Sequence, residues 1–566
     1  MSSLKFRATV VDIKSTSNAV WWIKNPTETW MRGIRHKQQS QRKQSEHASL
    51  CHDLADLFRN ISLHGYANLI ITQHSVWEKL IWLAVHATTL FALLTVLLLT
   101  WEQFVAQYFA INLHDPLYAV ENVPFPAVSI CSNNRISQQE AMTYANQLHK
   151  SDPSNRSVVY FLESIQLLNN LYVKHGETIN TEALTNFQAF LDTHDAWNND
   201  AFYDTRRFMR MLAPACKNFI LECKLAEKNI ECFSKVAFEE SLTMFGPCCT
   251  FNLNDSYKQR NYTTRFASPD TGLTVVLNNT VDRETFGAIL DIDGYIVMLH
   301  RPNDYADISS GSTQLVFPTH NSESFLSINA RLFDADDALR SYSPKTRKCA
   351  FNDEATNSEI ILRDAYSFAN CISRCRINSI IALCRCLPFY MPLDLVDRID
   401  GVVYCNLIHV SCLRRYNFKW RNVLTKRETI PGLEREAEEA LYCPQCEPSC
   451  YDVQYQVSLM SLPIERYQVE LDNLNDTKNI SVLNVYFEKP YAKYYRRVIG
   501  NTWYENFSTV GNILSIFLGF SVIAIFETLF FIGKYLIMGL KSFFQDQRLP
   551  KNDTDNLDPT KLYICP

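Results

Sequence analysis

The residues with the most chemistry to offer sit in an otherwise apolar stretch, Phe507 to Ile532, FSTVGNILSIFLGFSVIAIFETLFFI. Gly511, Asn512, Ser515, Gly519, Phe520, Ser521 and Glu527 interrupt it. A glycine in such a place can break a helix and turn backbone carbonyls toward a cation, which is tolerable where they line a wet cavity. Small residues such as Gly519 and Ser521 also let helices pack closely, and the residues alone leave both readings open. Glu527 is a carboxylate in an apolar run. It either faces water and attracts cations or snorkels from a helix end.

The 18 cysteines are the second chemical resource. Cys384 and Cys386 stand as C-x-C, and Cys443 and Cys446 as C-x-x-C, spacings that could serve zinc or thiol exchange. Sixteen of the 18 fall within 102–506, and only Cys51 and Cys565 lie outside. Such density suits an oxidising compartment, so disulfides are expected there and no structural metal. An even number lets all sixteen pair, although spacing fixes no connectivity. No H-E-x-x-H, G-x-S-x-G or phosphate-binding loop is present, so neither catalysis nor a cofactor is expected. Basic patches with interleaved aromatics are absent too, which argues against nucleic acid as a partner.

These residues need elements to carry them. Leu80 to Trp101 holds 22 residues without Asp, Glu, Lys or Arg. At 1.5 Å per residue it reaches roughly 33 Å, enough for a bilayer core of about 30 Å. With 507–533 it makes two transmembrane helices, and a mean hydropathy of −0.15 excludes a many-helix transporter. Seventy-nine largely polar residues precede the first run and no small-residue cleavage site follows it, so it reads as an uncleaved signal anchor. Residues 1–79 carry net +5 and 534–566 net +1. Positive flanks stay cytoplasmic, so both termini are expected inside and 102–506 outside. That outer part has net charge −10, which either concentrates cations or merely keeps a surface soluble. It carries N-x-S/T sequons at Asn155, Asn254, Asn261, Asn278, Asn475 and Asn479, expected to be glycosylated. Asn60 and Asn552 fall on the inner side, and Asn506 is too close to the membrane.

Along the chain, 1–50 reads as a poorly ordered basic tail. VPFPAVSICSNN, TGLTVVLN and DGYIVMLH read as strands, and LNVYFEKPYAKYY as a strand returning to the membrane. Residues 136–212 mix helices with loops. Ten cysteines crowd into 349–450, where IILRDAYSFANCISRCRINSIIALC reads as a helix and REAEEALYC as the end of a second, the two stapled into a stiff rod.

Four motifs in order give the chain its resemblance: SLHG at Ser62–Gly65, FPAVSIC at Phe125–Cys131, the cysteine ladder over 349–450, and GNILSIFLGFSVIAIFE at Gly511–Glu527. In this order they resemble the degenerin/epithelial sodium channel superfamily, most closely its insect pickpocket branch, over roughly Ser62 to Phe531. The fold this implies is an α+β membrane protein. Two transmembrane helices flank a large disulfide-rich extracellular domain with a β-sheet palm and a helical thumb at about 340–450, and three subunits form a channel. The domains become a cytoplasmic 1–79, spans at 80–101 and 507–533, an extracellular 102–506 and a cytoplasmic tail 534–566. The pairings implied are Cys349–Cys450, Cys371–Cys446, Cys375–Cys443, Cys384–Cys412 and Cys386–Cys405 in the thumb, with Cys131–Cys248, Cys223–Cys232 and Cys216–Cys249 outside it.

The resemblance also implies roles. Gly519, Phe520 and Ser521 become the selectivity filter, with Gly511, Ser515 and Glu527 lining the pore and its inner mouth. His64 and Gly65 become a gating strip beneath the pore. Ser508 stands at the site where a small residue permits closure. Family filters often carry a smaller central residue than Phe520. SPKTRKC puts Lys345 about where acid-sensing relatives carry a Trp touching the first span, which weakens the case for acid gating. No P-P-x-Y motif follows the second span. The function implied is a subunit of a sodium-selective, amiloride-sensitive, non-voltage-gated cation channel of the plasma membrane in sensory or epithelial cells. Its partners would be sodium ions, the bilayer and related subunits in a homo- or heterotrimer. A two-span receptor or lipid-binding scavenger protein would need no polar break in either span. An ATP-gated trimeric channel would lack the His-Gly strip and the cysteine ladder.

Overall fold

The computed structural model describes residues 75–546 except 107–108, 173–179, 195–203, 235–236, 254–261, 281–285, 293, 355–365, 394–395, 397–401, 427–429, 465–478 and 501. His64, Gly65, Cys51, Cys565 and the sequons at Asn254, Asn261 and Asn475 lie outside the described residues. The chain divides into two compact units, 1–107 with 501–566, and 108–500.

In the first unit, an apolar run without a helix breaker makes α1, Val76–Ala106. Thr88, Thr95 and Thr100 donate their hydroxyls to carbonyls four residues back, so these groups do not stand bare on an apolar surface. Phe91 is 74% exposed and Leu98 60%. A helix so apolar and so bare needs lipid or other chains around it.

The second unit opens with β1 (Phe109–Ala119) and β2 (Ala127–Ser132). Four helices follow: α2 (Gln138–Ser151), α3 (Val158–Gln166), α4 (Thr181–His194) and α5 (Thr205–Leu212). Ser137, Ser157 and Asp204 cap α2, α3 and α5 by accepting backbone N–H bonds. The helices bury one apolar core that includes Tyr144, Leu148, Phe161, Phe187, Leu191 and Phe208.

Next come β3 (Ile220–Leu225), β4 (Lys228–Ile230), β5 (Phe238–Thr243), β6 (Gly246–Phe251), β7 (Leu273–Asn278), β8 (Tyr295–His300), β9 (Gln314–Val316) and the long β10 (Ser322–Ala335). Strands β5-β6-β2-β8-β9 form a five-stranded sheet. The burial of β10 alternates, as period-two side chains on a half-covered sheet require.

The cysteine-rich segment corrects one expectation. Its longest described helix, α6, is Phe368–Cys384, started by Ser367, whose Oγ accepts from Asn370 N–H. It is followed by the short helices Val410–Arg415, Asn417–Arg421 and Glu434–Glu439 and then by an extended strip rather than a second long helix. Cys371 and Cys375, one turn apart on α6, bond Cys446 and Cys443 on that strip. The strip pairs locally instead: Val423–Leu424 lies parallel to Leu441–Tyr442. The other bridges are Cys349–Cys450, Cys384–Cys412, Cys386–Cys405, Cys131–Cys248, Cys216–Cys249 and Cys223–Cys232. Arg376 of α6 pairs with Asp307, and Ser367 Oγ donates to Asp304 at 2.6 Å, so buried polar contacts fix the helix to the 301–313 loop.

The returning strand is likewise two. Taking the two-residue Cys386–Leu387, Val403–Tyr404, Val423–Leu424 and Leu441–Tyr442 as β11 to β14, the chain ends its sheets with β15 (Asp452–Pro463), β16 (Ile480–Phe487) and β17 (Tyr491–Ile499). Pro490 has no N–H to give a ladder, and the chain steps sideways there. Strand β10 carries β15 along one edge. Its other edge takes β16 over Glu323–Ile328 and β17 over Arg331–Ala335. With β1 on β17 and β7, β3 and β4 beyond β16, the large sheet has eight strands.

Candidate ion pathway and its supports

The second apolar stretch is not one helix. It forms α7 (Trp503–Leu518) and α8 (Val522–Asp546), whose axes bend by 74° across the break. By length and apolarity α1 alone qualifies as a straight span among the described residues, and the bent pair gives a second if taken as one crossing. Gly519 and Glu527 therefore do not share one continuous helix. Glu527 sits half-buried in the second turn of α8, beyond the bend.

Cap chemistry explains the break. Gly519 stands at φ +68°, ψ 26°, the left-handed region that costs a residue with a Cβ about 1–2 kcal/mol. Its N–H donates to the Ser515 carbonyl at 2.9 Å, closing α7 with a left-handed cap. Two residues on, Ser521 Oγ accepts from Ala524 N–H at 3.1 Å and opens α8. Glycine and serine thus end one helix and begin the next, with Phe520 half-buried between them. The last-turn carbonyls of a helix lie outside its ladder and carry its negative pole. For α7 these belong to Ile516, Phe517 and Leu518, a suitable set of oxygens for a cation.

Within the second unit, β1, which follows α1 in the chain, is paired with β17, which precedes α7. Phe109, at the start of β1, sits opposite Ile499 at the end of β17. The turn 336–349 closes over this end of the sheet. Tyr342 meets the Phe109 ring edge-on at 5.5 Å between centroids. Lys345, the residue singled out by sequence, is exposed on the short helix Pro344–Arg347.

The family profile described as "Amiloride-sensitive sodium channel" matches residues 57–531, most of the chain. The chain belongs to the amiloride-sensitive sodium channel family. Curated relatives of this family include Pickpocket protein 28 of Drosophila melanogaster, 23% identical over 73% of this chain and 66% of its own. Sodium channel protein Nach of the same species is 21% identical over 85% of this chain and 87% of its own. The Bile acid-sensitive ion channel of Mus musculus is 24% identical over 85% and 88%. This is a family of plasma-membrane ion channels, not enzymes, and the eight-disulfide region of mixed sheet and helix is its extracellular domain.

In this member of the sodium channel family, Gly519, Phe520 and Ser521 come together at the helix break. Ser508, Gly511 and Ser515 lie on α7, all exposed in the single chain. An added Cβ at Gly511 would meet nothing within 4 Å, so none of the described residues requires glycine there. Of the described sequons, Asn155 is exposed in the turn between α2 and α3 at φ +50°, Asn278 ends β7, and Asn479 precedes β16. Reasoning from sequence missed Tyr342, Arg347 and Arg497. No spacing rule marks Tyr342 or Arg497, whose partners Phe109 and Arg347 are distant in the chain, and the buried Arg347 sits in a turn with no periodic pattern.

Proposed function

We propose that this chain is a subunit of a sodium-selective, amiloride-sensitive, non-voltage-gated cation channel. Three subunits surround one pore, each crossing the plasma membrane twice with both termini in the cytoplasm. The subunits are identical copies or related chains. The observation that carries this reading is the Gly519–Ser521 break inside the matched region, which turns the end of α7 into a set of carbonyls. Three such sets about an axis replace part of a sodium ion's hydration shell. In this reading Gly519, Phe520 and Ser521 are the filter, Gly511 and Ser515 line the approach, and Glu527 draws cations at the inner mouth. His64 and Gly65 set open probability from the cytoplasmic side. The sequons face the extracellular side, where glycans keep this surface out of contacts between subunits.

Ser508 is the residue that permits closure. It lies eleven residues before Gly519, about 16 Å along α7. A bulky side chain there keeps three helices from meeting. Ser508→Phe and Ser508→Val are expected to give a constitutive inward current, severalfold above wild type, in oocytes expressing the chain alone or with a related subunit. That current should fall on sodium replacement and on adding amiloride. Surface-expressed Ser508→Phe with no more current than wild type, in either setting, counts against the reading.

A further inference from the structure

Arg497 is the last long polar side chain of β17, six residues before α7 begins at Trp503. Its guanidinium crosses to the turn at the base of the cysteine-stapled region. Nη1 donates to the carbonyls of Arg347 at 3.1 Å and Lys348 at 2.8 Å. Its own carbonyl accepts from Asp336 N–H at 2.9 Å, at the other end of the same turn. Arg496 adds an ion pair to Asp336 at 3.5 Å. Arg497 thus holds the turn at both ends, while the β10 pairing continues to Ala335 opposite it.

The turn is itself stiff. Arg347 has no exposed side-chain surface and donates to the carbonyls of Cys349 at 2.8 Å and Tyr342 at 2.6 Å. It pairs with Glu354 and lies 4.7 Å from the Phe351 ring. Lys348 holds a left-handed conformation at φ +57°, ending the short helix so that its carbonyl is available to Arg497. Cys349 then bonds Cys450, which ties the turn to the stapled region. A displacement of that region must therefore move the turn, and the turn has a charged hydrogen-bonded grip on β17. Such bonds are the strong ones.

We infer that Arg497 is a positioning residue that couples the base of the stapled region to the strand feeding α7, so that movement of that region reaches the second membrane segment. The coupling to gating rests on the channel reading proposed above, whereas the tie itself does not. The test uses the full-length chain in lipid nanodiscs as wild type, Arg497→Gln and Arg497→Lys, followed by hydrogen exchange. Glutamine removes the charge; lysine retains it and can still donate to both carbonyls.

Losing the charged donor is expected to raise exchange roughly tenfold in both 336–349 and 491–499 for the glutamine variant, with lysine close to wild type. Unchanged exchange in the glutamine variant, or equal loosening in the lysine variant, overturns the tie. In oocytes the glutamine variant should shift open probability severalfold at an unchanged reversal potential, with lysine restoring it. A loosened turn with open probability unmoved overturns the coupling. Absence of current from wild type, alone and with related subunits, would instead count against the channel reading, while exchange still decides the tie.

Discussion

Valine at position 519 is expected to cut sodium current at least tenfold in channels that still reach the surface, whereas asparagine there should retain more current than alanine. The order follows from backbone conformation. Gly519 sits at φ +68°, which a β-branched residue adopts at a cost of about 1–2 kcal/mol or more. Each 1.4 kcal/mol is about a factor of ten in an equilibrium. Valine therefore favours a straightened α7, which would move Ser521 off its capping position and turn the last-turn carbonyls back into a ladder. Asparagine is larger than alanine but tolerates the left-handed region better. If glycine were present only to let helices approach, size alone would count and alanine would outperform asparagine. Macroscopic current normalised to surface protein ranks the three variants, and alanine above asparagine would contradict the cap.

Removing the Cys349–Cys450 bridge is expected to destabilise the extracellular domain strongly. The sequence separation is 101, but the nested Cys371–Cys446 bridge shortens the loop this bond closes, for which chain entropy gives about 3–4 kcal/mol. Cys450 N–H donates to the Ala350 carbonyl at 2.8 Å, and Ala350 N–H to the Pro448 carbonyl at 2.9 Å. The bridge thus joins segments already in register. It is buried with Ala335, Leu339 and Phe351. Cys349→Ser with Cys450→Ser should lower the melting temperature of the purified chain markedly and reduce surface delivery. The same double change at Cys223–Cys232, with a separation of only 9, should cost less. Equal losses at the two sites would show that loop closure is not the reason.

How much was legible depended on whether a signal was local. The helix Val76–Ala106 follows from an unbroken apolar run, and β7 and β8 from short β-rich runs bounded by turn residues. The second apolar stretch reads as one span because composition registers apolarity and not cap chemistry. Its two-part form depends on a glycine and a serine two residues apart. That glycine could break a helix was visible; that serine would open a new one at 74° was not. LNVYFEKPYAKYY reads as one strand because its residues are β-rich on both sides of Pro490, yet its two halves pair with different parts of β10. The second thumb helix shortens to Glu434–Glu439 because the following cysteines need an extended strip to reach α6. The Arg497–Arg347 contact joins residues 150 apart and leaves no periodic trace.

In the proposed channel, ions pass the Gly519–Ser521 break. The described native cysteines are all in disulfides, so a cysteine placed at Ser521 gives a distinctive thiol, with wild type as the control for Cys51 and Cys565. The direct measurement is current through Ser521→Cys before and after a positively charged thiol reagent applied from outside. Block of most of the current, with an altered sodium-to-potassium permeability ratio before modification, is the expected result. Complete modification, verified by mass, that leaves both current and permeability ratio as in wild type would contradict it and put the ion path elsewhere.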